Sequence, residues 1–424
     1  MPDRAPGSEA HLDTDPASTA EPWGIEPPVP PEGRQWYPAI EALRGVAALS
    51  VVAFHCWVLA GGSPGFGFGI VKGLGTWGVT VFFLLSGYLL ADYFWVGPGG
   101  RTTLEFYVRR FFRIAPAYYV CVGILYLFFA QHDQVFSTAG IKQIVANLTF
   151  TQHFFGSTAS NLNVDGSLWT LSIEMTLYLF FPLFAYLIAR RPVGSCVALA
   201  AVGVGWRVLV SYHGAGIRDF YFGPATPAAV LAQYNWLDRQ FLGLVPIFVL
   251  GLALRWAVLH GHADAWVGRP SRHPSLLVLL ALLLPGLIFL NWGAGYQGHF
   301  WFISFDYVVA LSAVPGLLYA SRPSPVRLKA PMRAGVWVGE RSYGLYLWHF
   351  PVILSVYGIG SAMLAPNLNH LGVKVGIVFV VSIALGWASF VAVERPGRLT
   401  GRDLGHRLAA RQRAKRSDPG DPAG

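Results

Sequence analysis

The feature that most constrains this chain is how rarely its apolar runs are broken. Windows of about 20 residues, the length that crosses a bilayer, recur along most of the sequence. Charged residues make up 12% of it, about half the share of a soluble domain. Lipid offers no hydrogen bonds to an open backbone, so a spanning chain must pair its amides internally. The reading is an all-α, polytopic transmembrane helical bundle of about ten spans. They are placed near 39–60, 77–97, 111–130, 168–189, 193–211, 241–259, 275–293, 300–320, 336–358 and 372–393.

The formal net charge of +9 is distributed as membrane topology distributes it. Alternate gaps between spans hold Arg101, Arg109, Arg110 and Arg113, then Arg190 and Arg191, then Arg255, Arg269 and Arg272, then Arg322, Arg327, Lys329 and Arg333. The opposite gaps hold only Lys72, Lys142, Arg218 and Arg239, with Lys374 at one edge. Cytoplasmic loops carry the excess of Lys and Arg, so both termini are expected in the cytoplasm, and the protein in the cell (inner, cytoplasmic) membrane. The charge pattern points to the lipid bilayer as partner and away from nucleic acid. Residues 1–36 lack an apolar signal core and are rich in Pro and acidic residues, which predicts a disordered cytoplasmic tail. Residues 37–397 form the membrane domain, and 398–424 a basic cytoplasmic tail suited to an anionic leaflet. Arginine far outnumbers lysine, a composition that hints at a GC-rich bacterial genome.

Polar residues inside the spans carry the functional signal. "ALRGVAALSVVAFHCWVLA" holds Arg44 and His55. Eleven helical steps of 100° return to within about 20° of the start, so the two share a face about 16 Å apart. "GVTVFFLLSGYLLADYF" places Ser86 and Gly87 where helices approach closely. "FYVRRFFRIAPAYY" clusters Arg109, Arg110 and Arg113, and planar cationic forks suit phosphates. In "GSLWTLSIEMTLYLFFP", Glu174 sits several residues inside an apolar span, where it must pair, accept hydrogen bonds or stay protonated. "GERSYGLYLWHFPVIL" gathers Tyr343, Tyr346 and His349, and "VERPGR" places Glu394 beside Pro396, where an arginine would balance it. Cys56, Cys121 and Cys196 show neither metal nor disulfide spacing. No metal site is expected.

In this order the motifs resemble acyltransferase family 3, the integral-membrane O-acyltransferases, over roughly residues 37–397. "LRG" with His55 ten residues on resembles the first-span signature, "FFLLSGYLL" the second and "RRFFR" the arginine motif. "LWTLSIE", "SYGLYLWHFP" and the closing "ERP" resemble the later ones. The resemblance implies catalysis by His55, with Glu174 orienting or charge-balancing His55 or an arginine, and substrate binding by Arg44, Arg110 and Arg113. Ser86, Tyr343 and His349 are left open as oxyanion donors or ligand contacts. It implies acyl-CoA, acetyl-CoA by default, as cosubstrate with no bound cofactor. The implied acceptor is a hydroxyl on an envelope glycan, a glycolipid or a glycosylated small molecule such as a macrolide.

Two departures bear on mechanism. Met175 and Thr176 follow Glu174 where the family often has a second acid and a Gln, so no paired-carboxylate role is assigned. The appended SGNH-type esterase domain of many members is not expected here, which would put acceptor attack within the bundle or on a separate partner. The alternative class is a transporter with buried charges in its pathway. No internal repeat, which many transporters show, is evident. A non-catalytic scaffold would tolerate loss of Arg44, His55 and Glu174 together.

Overall fold

The computed structural model describes residues 37–59, 66–96, 102–130, 135–159, 166–222, 233, 236–263, 299–321, 328–357 and 370–416. The tail expected over 1–36 and the span expected near 275–293 lie outside the described residues. Among those described there is no strand. The main elements are α1 (Pro38–Leu59), α2 (Phe66–Trp95), α3 (Thr103–Phe128), α4 (Thr138–Leu148), α5 (Trp169–Arg190), α6 (Pro192–Phe222) and α7 (Phe241–Leu259). They continue with α8 (His299–Ala320), α9 (Ala330–Glu340), α10 (Ser342–Tyr357), α11 (Leu371–Ser389) and α12 (Arg395–Arg416), the last two joined by a π-turn at Phe390–Glu394. Eight described helical stretches are long and apolar enough to cross a membrane. The protein is a multi-pass membrane protein built as an all-helical bundle.

Local chemistry sets the ends and bends. Thr102 caps α3 by accepting from the Glu105 amide at 3.1 Å, and Ser137 caps α4 through the Gly140 amide at 3.1 Å. Proline interrupts five of the helices, at Pro116, Pro182, Pro246, Pro315 and Pro351. Each removes an N–H and frees the carbonyl four residues earlier, which a neighbour can then use. The carbonyl freed by Pro351 is that of Leu347, and the buried Cys121 thiol on α3 donates to it at 3.5 Å.

The expected single span 336–358 is instead two helices of 11 and 16 residues meeting at Arg341. The Arg341 amide turns to Val338 O at 3.1 Å, and the Trp337 carbonyl it leaves takes the Arg341 guanidinium at 2.8 Å. A basic side chain thus satisfies the last turn of α9, with its guanidinium against the rings of Trp337 and Phe390 at 4.3 and 4.9 Å.

Packing rests on small residues, as expected where lipid supplies little drive for helix association. A Cβ on Gly87 of α2 would stand 2.0 Å from Phe248 O of α7, and one on Gly251 of α7 would stand 2.1 Å from Leu84 O. A Cβ on Gly339 of α9 would lie 1.8 Å from Glu41 O of α1. Gly397, Gly401 and Gly405 line one face of α12 against α3, and the first lies over Phe112 O, the carbonyl that Pro116 frees. The described part of the stretch read as a basic tail, up to Arg416, is therefore a helix, and its glycine face is seated on α3.

The α2–α7 crossing is also held by a buried ion pair. Arg255 Nε donates to Asp92 Oδ1 at 2.5 Å, and its Nη1 to the hydroxyls of Tyr37 and Tyr88 at 3.3 and 3.4 Å. Gly251→Val should push α2 and α7 apart and destabilise the bundle by about 1–3 kcal/mol or more. Thermal melts in detergent read this directly, and a variant melting with the wild type would remove the crossing from the account.

Candidate active site

His55 of α1 and His349 of α10 meet within the bundle. His349 Nε2 lies 3.1 Å from His55 Nδ1, with ring centroids 5.0 Å apart. Carbonyls fix the protons. His349 Nδ1 faces Tyr346 O at 2.5 Å, and a carbonyl can only accept, so that nitrogen carries the hydrogen. A neutral imidazole has one N–H, which leaves His349 Nε2 bare. His55 Nδ1 also faces a carbonyl, Val51 O at 3.1 Å. Its hydrogen is therefore shared between Val51 O and His349 Nε2, and His55 Nε2 is the unprotonated nitrogen. His349 is fully buried and orients His55 rather than meeting the cavity itself.

His55 lines a cavity with about 850 Å³ of empty space, its mouth included. The wall includes Thr76, Thr80, Trp169, Tyr346 and a group of charges from three segments distant in sequence: Arg207, Asp238, Arg239 and Asp306. Arg207 of α6 is 0% exposed. It donates to Asp306 of α8 at 2.6 Å and to Phe302 O at 3.4 Å. Its Nη1 lies 3.2 Å from Asp238 Oδ1, within ionic attraction though off hydrogen-bond geometry. Two carboxylates thus share one guanidinium. Burial pushes Asp238, in the segment before α7, up to about 7, with Asp306 adding to the rise and Arg207 opposing it.

Trp169, the first residue of α5, carries Arg239 on its ring, with Cζ 5.0 Å from the centroid. Its other neighbour is His153, with centroids 5.3 Å apart. Burial and Arg239 push His153 down to about 3, so it is neutral across the physiological range. Tyr346 ties α10 to α5 by donating to Ser167 O at 2.7 Å, with Thr170 Oγ1 at 2.8 Å.

The remaining residues singled out from sequence form a second polar group, nearer the Arg44 end of α1. Glu174 lies about 7.5 Å along α5 from Trp169. It accepts from Ser86 at 3.3 Å and from Tyr178 in a short contact. Among the described residues no contact joins it to His55, whose imidazole partner is His349. Arg110 lies over the Tyr178 and Phe106 rings at 5.8 and 5.7 Å, and Arg113 acts electrostatically on Tyr178. Arg44 pairs with Glu41 at 3.0 Å. Arg44, Arg113 and Glu394 all act on Arg398, which binds Glu394 at 3.3 Å. Tyr343 donates to Ile114 O at 2.8 Å. Ser86, Tyr343 and His349 are thus each engaged with protein partners rather than free to donate to a reacting oxygen.

A family model described as "Acyltransferase domain", acyltransferase family 3, matches residues 37–391. The chain belongs to this family. It is 26% identical over 391 residues to the peptidoglycan O-acetyltransferase OatA of Listeria monocytogenes, covering 87% of this chain and 57% of that protein. It is 27% identical over 388 residues to the putative peptidoglycan O-acetyltransferase YrhL of Bacillus subtilis, covering 87% and 56%. The O-acetyltransferase OatA of Staphylococcus aureus is 24% identical over 365 residues, covering 76% and 51%. The chain spans just over half the length of these curated relatives. No solved structure matches it.

Removing one partner of a buried charge group leaves the rest uncompensated, at about 3–5 kcal/mol. Arg207→Met should therefore lower the melting temperature sharply, and adding Asp238→Asn and Asp306→Asn should restore most of the loss. If the single variant melts like wild type, the triad is not holding α6, α7 and α8 together. Asp238 also makes stability depend on pH. Its folded value lies above the ordinary carboxylate value, so its contribution is fully present below about 4 and is lost as pH rises through about 7. Melts at stepped pH should show wild type losing stability relative to Asp238→Asn across that window. Parallel curves would exclude the shift.

Proposed function

We propose that this protein is an acyl-CoA-dependent O-acyltransferase that moves an acetyl group onto a hydroxyl of an envelope glycan. The observation that carries this reading is the tautomer of His55. Its Nδ1–H is engaged by Val51 O and His349 Nε2, which leaves a bare Nε2 on a residue lining a cavity. A bare imidazole nitrogen of this kind is a general base suited to neutral pH. The relatives' names supply the glycan class of acceptor and the acetyl group.

The donor is read from the other end of α1. Arg110, Arg113, Arg44 and Arg398 gather there, and cationic forks of this type suit the phosphates of coenzyme A. On the positive-inside reading this end faces the cytoplasm of the cell membrane, where acyl-CoA is available. The roughly 16 Å between Arg44 and His55 lets one extended molecule address both. Glu174, between the two ends, balances the arginines rather than the histidine.

His55 Nε2 takes the proton of the acceptor hydroxyl as its oxygen bonds to the thioester carbonyl carbon. When the tetrahedral intermediate collapses, the C–S bond breaks and the thiolate leaves as the ester forms. The imidazolium returns the proton to the thiolate, giving free CoA thiol. Throughout, the Nδ1–H of His55 stays hydrogen-bonded to the bare Nε2 of His349, which stabilises the cationic stage.

Purified protein in detergent with acetyl-CoA tests the donor and the base separately. Wild type should bind acetyl-CoA and release CoA slowly. His55→Ala should bind it with turnover lowered about 10²–10⁴-fold, and Arg110→Ala/Arg113→Ala should fail to bind. Full turnover by a folded His55→Ala protein would reject the mechanism. Failure of wild type to bind any acyl-CoA would reject the donor and bring forward the transporter reading.

A further inference from the structure

The cavity beside His55 holds a cation that the acyl-transfer chemistry does not use. Arg239 has no ion pair or side-chain hydrogen bond with any described residue. The two cavity carboxylates are taken up by Arg207, at 2.6 and 3.2 Å. What holds Arg239 is the face of Trp169, with Cζ 5.0 Å from the ring centroid, a cation–π distance. The ring is itself fixed. His153 lies against it at 5.3 Å, and the His153 carbonyl accepts from Trp236 Nε1 at 2.8 Å and Gln240 Nε2 at 3.2 Å. A face-on contact positions a guanidinium without engaging its N–H edges, and those five donors suit a planar or tetrahedral oxyanion. Arg239 and His55 line the same cavity, and Arg239 lies within electrostatic reach of His55.

We propose that Arg239 is the anion-recognition residue of the acceptor subsite, binding a carboxylate or phosphate substituent of the saccharide whose hydroxyl is presented to His55. The proposal rests on the acyltransferase reading for the identity of the occupant, and on the cavity geometry alone for the anion preference. Anchoring the saccharide through a charged substituent selects which hydroxyl reaches His55 Nε2. Asp238, next in sequence, acts on Arg239 only through space, and a neutral saccharide would leave the guanidinium's N–H edges without a charged acceptor. Arg239 is thus a specificity-determining residue, distinct in role from the base.

The test is equilibrium binding to the full chain in lipid nanodiscs, with no acyl-CoA present. The probes are a methyl glucuronide, its methyl ester and a hexose phosphate. Wild type should bind one of the charged sugars about 10- to 100-fold more tightly than the neutral ester, the range of a charge-assisted hydrogen bond. The preferred probe distinguishes carboxylate from phosphate. Arg239→Gln should bind charged and neutral sugars alike, and Arg239→Lys should keep part of the preference, with melts confirming that both variants fold. Equal binding of all three probes by wild type, including no measurable binding of any, overturns the proposal. So does a preference that survives in Arg239→Gln. Acetyl-CoA turnover is scored in a separate assay, so loss of the acyl-transfer reading and loss of the anion subsite give different results.

Discussion

Charge inside this bundle has no water to fall back on, and each buried charge dictates which helices must meet. Arg207 cannot sit in α6 unless α8 and the segment before α7 bring Asp306 and Asp238 to it. Arg255 cannot sit in α7 unless α2 presents Asp92 and Tyr88. Glycines at the crossings let backbones close far enough for these partners to reach. The cavity wall beside His55 follows from that requirement, because the Arg207 group also lines it. Structural balance and the chemistry of the site therefore share side chains.

The bundle is graded along α1. At one end two guanidinium groups are matched by two carboxylates around a cavity with aromatic rings and an imidazole, and at the other Arg44, Arg110, Arg113 and Arg398 gather. Glu174, joined to Ser86 and Tyr178, stands between, with Arg110 over the Tyr178 ring. On the proposed function this gradient matches a ligand that is anionic at one end and reactive at the other. Family membership, resting on the match over 37–391, fits this arrangement.

Much of this was readable in the sequence, for reasons of period and local chemistry. Apolar windows of helical length gave the architecture, and an eleven-residue spacing put Arg44 and His55 on one face. The break at Arg341 falls on the polar run Gly339-Glu340-Arg341-Ser342 inside a longer apolar window, and the guanidinium that caps Trp337 O closes the first helix there. Glu174 stayed open between His55 and an arginine as partner, because sequence spacing carries no information on contacts between different helices. The same limit concealed the Arg207 group, whose carboxylates lie 31 and 99 residues away. The one available signal was an arginine and an aspartate standing alone in apolar windows, which in lipid implies that each has a partner.

The His55–His349 contact has an electrical consequence. Had a carboxylate been the partner of His55, the pair would hold a permanent negative charge in a low-dielectric layer, and the bundle would need a cation beside it. Two neutral imidazoles impose no such demand. On the proposed mechanism the dyad is electrically silent at rest and becomes a monopole only while it holds the acceptor's proton. The field felt by a ligand in the resting cavity is then set by the fixed guanidinium and carboxylate groups, and the base adds to it only during turnover.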